Sequence, residues 1–254
     1  AWGKQGHRIV GRIAEAHLTP EARAAVEKLL GEGKHLSDDD VANWADQIRN
    51  EFPETGPWHY VDIPIEEDKY DPARDCKYSD CVIARIERFR EVLANKDAKA
   101  VERQRALKFL VHFVGDMHQP LHCAERRDSK GTPDQGGNLC MVRFLSEPKP
   151  INLHRVWDYK IIEHTLGQTD PLIYADELNG RVGEQAEKWR GGTVRQWAMQ
   201  SFRAAKTHVY AGIAADGEPT QLDQKYITKS QKITDQQLAK AGIRLAEILN
   251  EALK

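Results

Sequence analysis

Apolar residues recur every three or four positions along most of this sequence, which is the spacing of one face of an α-helix. The clearest stretch predicts a last helix over residues 235–253, with an apolar stripe of Leu238, Ala241, Leu245, Ile248, Leu249 and Ala252. The same spacing predicts helices over residues 6–17, 20–31, 38–48, 82–93, 101–114, 153–166, 176–189 and 193–211. The pattern therefore predicts an all-α protein built from packed helices.

The helical pattern is interrupted where prolines, glycines and polar residues cluster. Residues 52–72 contain four prolines and a glycine, and we expect an irregular segment there,. Residues 124–138 read as a polar loop, and the extended stretch 139–145 predicts one arm of a small β-hairpin,. Thr193 and Thr234 each precede a glutamine by three positions, which predicts two capped helix starts. No linker divides the chain, so we expect one compact domain over 1–254.

Composition and charge limit the classes of function. The chain has 254 residues, of which 40% are hydrophobic and 30% charged, as in a soluble globular protein,. No apolar run approaches the roughly 20 residues of a membrane span. A net charge of -2 is unlike that of a protein that coats duplex nucleic acid,. It still permits a nucleic-acid enzyme whose positive charge comes from bound metal ions. We expect a monomer with no membrane partner.

Four cysteines, Cys76, Cys81, Cys123 and Cys140, leave two interpretations open. No Cys-x-x-Cys motif is present, which disfavours a thiolate zinc site or a redox motif. Two local disulfides, Cys76–Cys81 and Cys123–Cys140, would close short loops and indicate an oxidising compartment. Four free thiols are the alternative. We favour the disulfides, and we therefore expect a secreted or periplasmic protein whose signal peptide has already been removed.

The segment from His112 to His122 contains the strongest chemical signal. His112 and Asp116 are four positions apart in a predicted helix and project from one face,. Pro120 cannot continue that helix, so the chain must turn and can bring His122 back to the same space. An imidazole and a carboxylate on a rigid support are suitable zinc ligands. A buried His–Asp pair without metal is the simpler interpretation of these two residues alone.

Further candidate ligands favour a metal site over an isolated pair. His154 and Asp158 repeat the His-x-x-x-Asp spacing, and His7, Asp46 and His59 lie upstream. Together they offer imidazole and carboxylate donors on several separate segments. The sequence therefore predicts a multinuclear metal site.

Six motifs in order resemble those of a known enzyme family. They are Trp2-Gly3-x-x-Gly6-His7, Asp46-x-x-Arg49, Trp58-His59-Tyr60-x-Asp62, His112-x-x-x-Asp116-x-x-x-x-x-His122, Gly136-Gly137-Asn138 and His154-x-x-Trp157-Asp158. The chain resembles a bacterial-type member of the zinc-dependent S-one/P-one nuclease family, which shares its fold with bacterial phospholipase C. The motifs extend from Trp2 to Asp158, and beyond them only the helical pattern agrees.

The resemblance implies three zinc ions. The first would be bound by Asp46, His59, His112 and Asp116, and the second by His122, His154 and Asp158. The third would be bound by His7, the shared Asp116 and the main chain of the N-terminal residue. Family members begin at the tryptophan, whereas Ala1 precedes Trp2 here. Either Ala1 is removed and Trp2 supplies the amino and carbonyl groups, or Ala1 supplies them itself.

The resemblance also implies an activity and a set of substrate contacts. A zinc-bridging hydroxide would attack the phosphodiesters of single-stranded RNA and DNA, leaving 5′-phosphates, and the site would also remove 3′-phosphates from nucleotides. Catalysis would involve Asp46, Arg49 and Asp116, with Arg49 on a phosphate oxygen. The base would be bound by Tyr60, Asp62, Gly136, Gly137 and Asn138.

Two alternative functions remain at this point. A phospholipase C would share the fold, but in that branch the second zinc takes a glutamate where this chain has Asp158. A non-catalytic zinc-binding protein would need neither a shared Asp116 nor a nearby Arg49. Asp158 therefore argues against a phospholipase C, and Asp116 with Arg49 argues against a non-catalytic protein, which leaves the nuclease as the favoured function.

Overall fold

The helices predicted from the apolar spacing make up most of the structure, a computed structural model that describes residues 1–254. The α-helices are α1 Lys4–Ala16, α2 Pro20–Leu30, α3 Asp39–Ala42, α4 Trp44–Gln47, α5 Pro72–Asp75, α6 Val82–Ala94, α7 Ala100–His118, α8 Leu153–Arg155, α9 Ile161–Leu166, α10 Pro171–Val182, α11 Gln185–Trp189, α12 Val194–Ala204 and α13 Gln224–Ala252. Short 3-10 helices cover Ile48–Asn50, Pro53–His59, Lys77–Ser79 and Pro120–Cys123, and π-helical turns cover Val156–Lys160 and Ala205–Val209. The prediction of a mainly helical fold is confirmed.

A small three-stranded sheet accompanies the helices. Strand β1 (Met141–Phe144) pairs antiparallel with β2 (Ile151–Asn152), with Met141 opposite Asn152. This pair is the predicted hairpin. Strand β3 (Thr220–Leu222) joins the other edge of β1 in parallel, which the sequence did not indicate. The sheet order is therefore β2-β1-β3.

Two predicted helix starts have different outcomes. The hydroxyl oxygen of Thr193 accepts from the backbone amide of Gln196, and the side-chain oxygen of Gln196 accepts from the backbone amide of Thr193. This capping box is confirmed. The start predicted at Thr234 is wrong. Helix α13 begins ten residues earlier, where Asp223 caps it by accepting from the amide of Tyr226. Thr234 is consequently buried inside a continuous helix.

Three helices form the framework that positions the site. Helices α1, α7 and α13 pack against one another, and α6 lies along α7. The contact between α1 and α13 is close at Gly242, where a Cβ atom would approach the Cβ of Ile13 to 2.6 Å. The apolar side chains of these helices belong to one cluster of 65 buried residues. No helix is both long enough and apolar enough to cross a membrane.

The cysteines form one disulfide. Cys76 and Cys81 are bonded, as predicted. The predicted Cys123–Cys140 disulfide is wrong, and both residues are buried free thiols. The Sγ of Cys123 donates to the carbonyl of Met117 at 3.2 Å, whereas the Sγ of Cys140 lies 3.2 Å from the guanidinium of Arg126. The two thiols thus face different parts of the core, because tertiary packing fixes their directions.

Candidate metal centre

Helix α7 and the turn after it place three candidate ligands together. His112 and Asp116 project from one face of α7, with 3.2 Å between the Nε2 of His112 and the Oδ2 of Asp116. The helix ends at His118, because Gln119 precedes Pro120 and adopts an extended conformation,. The 3-10 turn Pro120–Cys123 then brings His122 to 3.8 Å from the Oδ1 of Asp116. All three side chains are buried.

Other segments bring the remaining candidates to the same space. His7 comes from α1, Asp46 from α4, and His59 from the end of the 3-10 segment Pro53–His59. His154 lies in α8 and Asp158 in the following π-helical turn, with 3.2 Å between Nε2 and Oδ2. Single π turns inserted between helices are frequent at functional sites.

The donors form three groups, in each of which the ligand atoms lie within 4.8 Å of one another. The groups are His7 with His112 and Asp116, Asp46 with His59 and His112, and His122 with His154 and Asp158. Every imidazole and carboxylate predicted as a metal ligand therefore belongs to one of these groups. Each of these groups could hold a metal ion.

Asp116 faces two of these groups with different oxygens. Its Oδ2 lies 2.8 Å from the Nδ1 of His59 and 3.2 Å from the Nε2 of His112. Its Oδ1 lies 3.3 Å from the Nε2 of His7. A carboxylate in this position can contribute one oxygen to each of two ions.

Backbone carbonyls orient three of the histidines. The Nδ1 of His112 lies 2.8 Å from the carbonyl of Ala42, that of His122 lies 2.7 Å from the carbonyl of His59, and that of His154 lies 2.7 Å from the carbonyl of Gly136. A carbonyl only accepts, so each Nδ1 carries the hydrogen. Each Nε2 is then left free to bind a metal, and such outer contacts commonly orient metal-binding imidazoles.

Several buried polar atoms in the cluster have no hydrogen-bond partner. They are the Nδ1 and Nε2 of His7, the Nε2 of His59, the Nε2 of His112 and the Oδ1 of Asp116. A buried polar atom without a partner is costly unless a ligand satisfies it. Because imidazole nitrogen and carboxylate oxygen suit Zn²⁺, this donor set fits zinc ions.

The protonation of the cluster is also suited to binding cations. Burial, followed by the charge of His112, lowers the pKa of His7 to about 4. Burial and the amino terminus lower the pKa of His122 to about 3. Burial would raise the pKa of Asp116, but His112, the amino terminus and His122 together hold it well below its usual range. Burial opposes protonation of His112, but Asp116 and Asp46 raise its pKa to about 10. At neutral pH the cluster therefore offers neutral imidazoles at His7 and His122 and an ionised Asp116, and a cation that binds His112 would displace its proton,.

The main-chain nitrogen of Ala1 lies beside the second group. It is 2.5 Å from the Nε2 of His122, 3.4 Å from the Oδ2 of Asp158 and 3.9 Å from the Oδ1 of Asp116. Of the two predicted alternatives for the main-chain donor, Ala1 is thus placed within reach of the cluster. The Trp2 side chain is fully buried, and the amide of Gly3 donates to the carbonyl of Asp158 at 2.8 Å.

A cavity of about 680 Å³ opens onto the cluster. Its lining includes Asp46, His59, Asp158 and two residues beside them, Arg49 and Tyr159. The guanidinium of Arg49 lies 3.5 Å from Asp46, and its side chain is 45% exposed, so it can reach a ligand in the cavity. The cavity is large enough for a small molecule or part of a polymer.

Four of the five predicted base-binding residues line an adjoining cavity of about 400 Å³. Its lining includes Tyr60, Asp62, Gly136 and Asn138. Tyr60 and Asn138 also line the larger cavity, so the two spaces meet at these residues. Burial, with repulsion from Glu125 and Asp134, raises the pKa of Asp62 to about 7.

Gly136 and Gly137 mainly determine the backbone conformation of this loop. Gly136 has φ +61°, and a Cβ there would lie 2.6 Å from the carbonyl oxygen of Leu121. Gly137 has φ +82° and lines neither cavity. Its carbonyl accepts from the amide of His154 at 3.3 Å. The loop therefore supports His154 as well as the adjoining cavity.

Gln119 contacts a candidate ligand and was not predicted from the sequence. Its side-chain nitrogen donates to the Oδ1 of Asp158 at 2.8 Å, and its side-chain oxygen accepts from the amide of Leu121 at 2.6 Å. It is fully buried and fixes one oxygen of a candidate ligand. Its position between His118 and Pro120 was the only signal in the sequence.

Comparison with known proteins agrees with this geometry. The family model described as S1/P1 Nuclease matches residues 2–254. Endonuclease 4 of Arabidopsis thaliana is 33% identical over 98% of this chain and 88% of its own length. Endonuclease 2 of Arabidopsis thaliana is 31% identical, covering 98% of this chain and 89% of its own length. Nuclease S1 of Aspergillus oryzae is 30% identical, covering 98% and 91%. Because the family model spans nearly the whole chain and the converging residues lie within that span, the chain belongs to the S1/P1 nuclease family.

Proposed function

We propose that this nuclease is a zinc-dependent phosphodiesterase that cleaves single-stranded RNA and DNA to products with 5′-phosphates. The same site would act as a 3′-nucleotidase. The observation that carries the proposal is Asp116, whose two oxygens face different groups of donors. This arrangement suits a cluster of ions better than a single structural ion.

Three zinc ions would be held by the residues of the cluster. His59, His112 and Asp46 would bind the first with Asp116, the second would take His122, His154 and Asp158, and the third would take His7, Asp116 and the N-terminal main chain. Bound zinc supplies Lewis acidity for a phosphoryl oxygen and lowers the pKa of water toward neutrality.

Residues beside the cluster would position the substrate. Arg49 can donate two hydrogen bonds to phosphate oxygens as charge develops on them. Tyr60 would stack on a base, and Asp62 and Asn138 would hydrogen-bond to its edge. Because Tyr60 lines both cavities, a base bound there would hold the attached phosphate toward the metal ligands.

We also propose a setting for the protein. The Cys76–Cys81 disulfide is consistent with an oxidising compartment, so the protein would work outside the cytoplasm, in the periplasm or as a secreted enzyme,. Residues 1–254 would act as a single nuclease domain and as a monomer. Sedimentation of the zinc-loaded protein tests the oligomeric state.

Metal analysis combined with substrate digestion tests the function. We expect three zinc ions per chain, rapid digestion of single-stranded RNA, and products whose 5′ ends carry phosphate. One ion or none per chain would refute the trinuclear site. Cleavage of phosphatidylcholine at a rate that rivals RNA cleavage would instead assign the chain to the phospholipase C branch.

Arg49→Ala should lower kcat by about tenfold to a hundredfold, because it removes a donor to charge that develops in the transition state. KM should change less, and zinc content should stay the same. Steady-state kinetics on an oligonucleotide and metal analysis provide the measurement. Arg88→Ala is a matched control, since Arg88 also pairs with an acid three residues away at 3.5 Å but lies on α6. Loss of zinc from Arg49→Ala would contradict this role.

Tyr60→Ala should lower kcat/KM for oligonucleotides by about one to two decades, the usual effect of losing one base–aromatic stack. A small phosphodiester without a base should be hydrolysed at the wild-type rate. Tyr78→Ala is the control, because Tyr78 is 98% exposed and outside both cavities. Equal losses on both substrates would mean that Tyr60 only supports His59.

A further inference from the structure

A cavity of about 570 Å³ lies beside helix α12, and it shares no lining residue with the cavities at the metal cluster. Six of its lining residues are cationic: Lys69, Lys188, Arg190, Arg195, Arg203 and Arg244. No aspartate or glutamate lines it. In a chain with a net charge of -2, this is a concentrated region of positive potential,.

The cations of this cavity are mostly without counter-charges. Arg190 pairs with Glu187 at 3.0 Å, and Glu187 is 77% exposed. None of the other five has a carboxylate within 4.0 Å. Cations on a protein surface usually pair with a nearby carboxylate or point into bulk water, whereas these six side chains line one concave space. The cavity therefore attracts an anion.

Arg244 forms the buried end of the cavity. It is 3% exposed, and its guanidinium donates to the carbonyl of Trp189, the Nε2 of His118 and the side-chain oxygen of Gln200. All three acceptors are neutral, because the Nδ1 of His118 donates to the carbonyl of Val114 at 2.7 Å and its Nε2 is then the acceptor for Arg244,. A buried charge with only neutral partners is unfavourable, and an anion in the cavity would offset that cost.

Arg244 keeps its positive charge at neutral pH. Burial lowers its pKa to about 10, and Glu247 partly offsets this effect. The carboxylate of Glu247 is itself engaged, since both oxygens accept from the amide of Gly191 at 2.9 and 3.0 Å. Glu247 keeps its negative charge and offsets part of the positive potential, but it does not line the cavity, whereas six cations do.

Helix α12 and the preceding loop give the cavity its shape. Arg195 and Arg203 lie eight residues apart on one face of α12, which is about 12 Å along the helix axis,. Both are exposed. The partly buried rings of Tyr70 and Trp189 complete the wall, and Gly191 turns the chain there with φ +75°. Charged and aromatic groups thus surround the same space.

We propose that this cavity binds the phosphate of a nucleotide, at a site separate from the metal cluster. Several arginines suit a phosphate because each guanidinium can donate two parallel hydrogen bonds. The rings of Tyr70 and Trp189 give a base a surface for stacking. The volume lies in the range of sites for small molecules.

The nucleotide would come either from solution or from a bound strand. The experiment separates the two sources.

The test uses the zinc-loaded protein and the double variant Arg195→Glu/Arg203→Glu. Both residues are exposed and neither has a carboxylate within 4.0 Å, although the guanidinium of Arg195 lies 5.8 Å from the centre of the Tyr70 ring. The fold should therefore be kept, and a thermal melt checks this. Equilibrium dialysis with 5′-AMP should find two sites in the wild type. The variant should bind at one of them about tenfold to a hundredfold more weakly, as expected when charge-assisted hydrogen bonds are lost. Lys188→Glu provides a second, independent variant.

The control is Lys96→Glu/Lys225→Glu, which makes the same change in charge at exposed positions away from the cavity. A second measurement, KM for an oligothymidylate of twelve nucleotides, tests whether the cavity binds part of a strand. A weakened 5′-AMP site supports the proposal with a free nucleotide as ligand, and a raised KM alone supports it with a strand. No change in either quantity, or an equal change in the control, would overturn it. The binding measurement does not depend on the proposed activity, because 5′-AMP contains no phosphodiester bond between nucleotides. A protein that lacked the nuclease activity could therefore still bind 5′-AMP in this cavity.

Discussion

Asp116→Asn should reduce kcat/KM on single-stranded RNA by about a thousandfold or more and lower the zinc content of the protein. Loss of an outer contact to a metal ligand already costs about tenfold to a hundredfold. Asp116 is itself a proposed ligand, fully buried, and its two oxygens face His7 on one side and His59 with His112 on the other. The amide would keep the shape of the side chain but remove its charge.

The measurement combines steady-state kinetics with zinc analysis of the purified variant. Asp97→Asn is the control, since Asp97 is an exposed aspartate after α6. A variant that kept three zinc ions and wild-type activity would show that Asp116 does not bridge. A variant that lost one ion and kept most of its activity would assign Asp116 to a structural ion alone.

Removal of zinc by a chelator should lower the melting temperature as well as abolish activity. An ion that binds only the folded state stabilises it by roughly 4 kcal/mol when free metal is a thousandfold above its Kd. For a chain of this size that corresponds to roughly 10 °C in Tm for each ion. The effect should be large because the proposed ligands come from α1, α4, α7 and α8 and from the turns beside them.

Thermal melts with EDTA, and with EDTA already saturated by zinc, provide the comparison. We expect the saturated chelator to have no effect and added zinc to restore both Tm and activity. An unchanged Tm after complete removal of zinc would mean that the segments are held together by packing alone.

Two pairs of the cluster were predictable because their spacing is local, whereas the assignment of His7, Asp46 and His59 rested on the motifs of the family. The four-residue interval between His112 and Asp116 fixes their shared face once the segment is helical, and His154 and Asp158 approach each other even across a π-helical turn. The orientation of the rings was not predictable. It depends on carbonyls such as those of Ala42 and Gly136, which only the folded chain brings to the histidines.

The incorrect predictions came from features that look alike in sequence and differ in tertiary context. Thr193 and Thr234 share the same motif, but Asp223 already starts the helix that contains Thr234. The strand β3 is three residues long, and its pairing with β1 spans most of the second half of the chain. Cys123 and Cys140 were close enough in sequence to pair, yet their thiols face different partners.

The close packing of α1 against α13 at Gly242 means that the position of His7 depends on a helix that contributes no candidate ligand. A side chain at position 242 would press on Ile13 and displace α1. A substitution more than two hundred residues away in the sequence would therefore alter the 3.3 Å approach of His7 to Asp116.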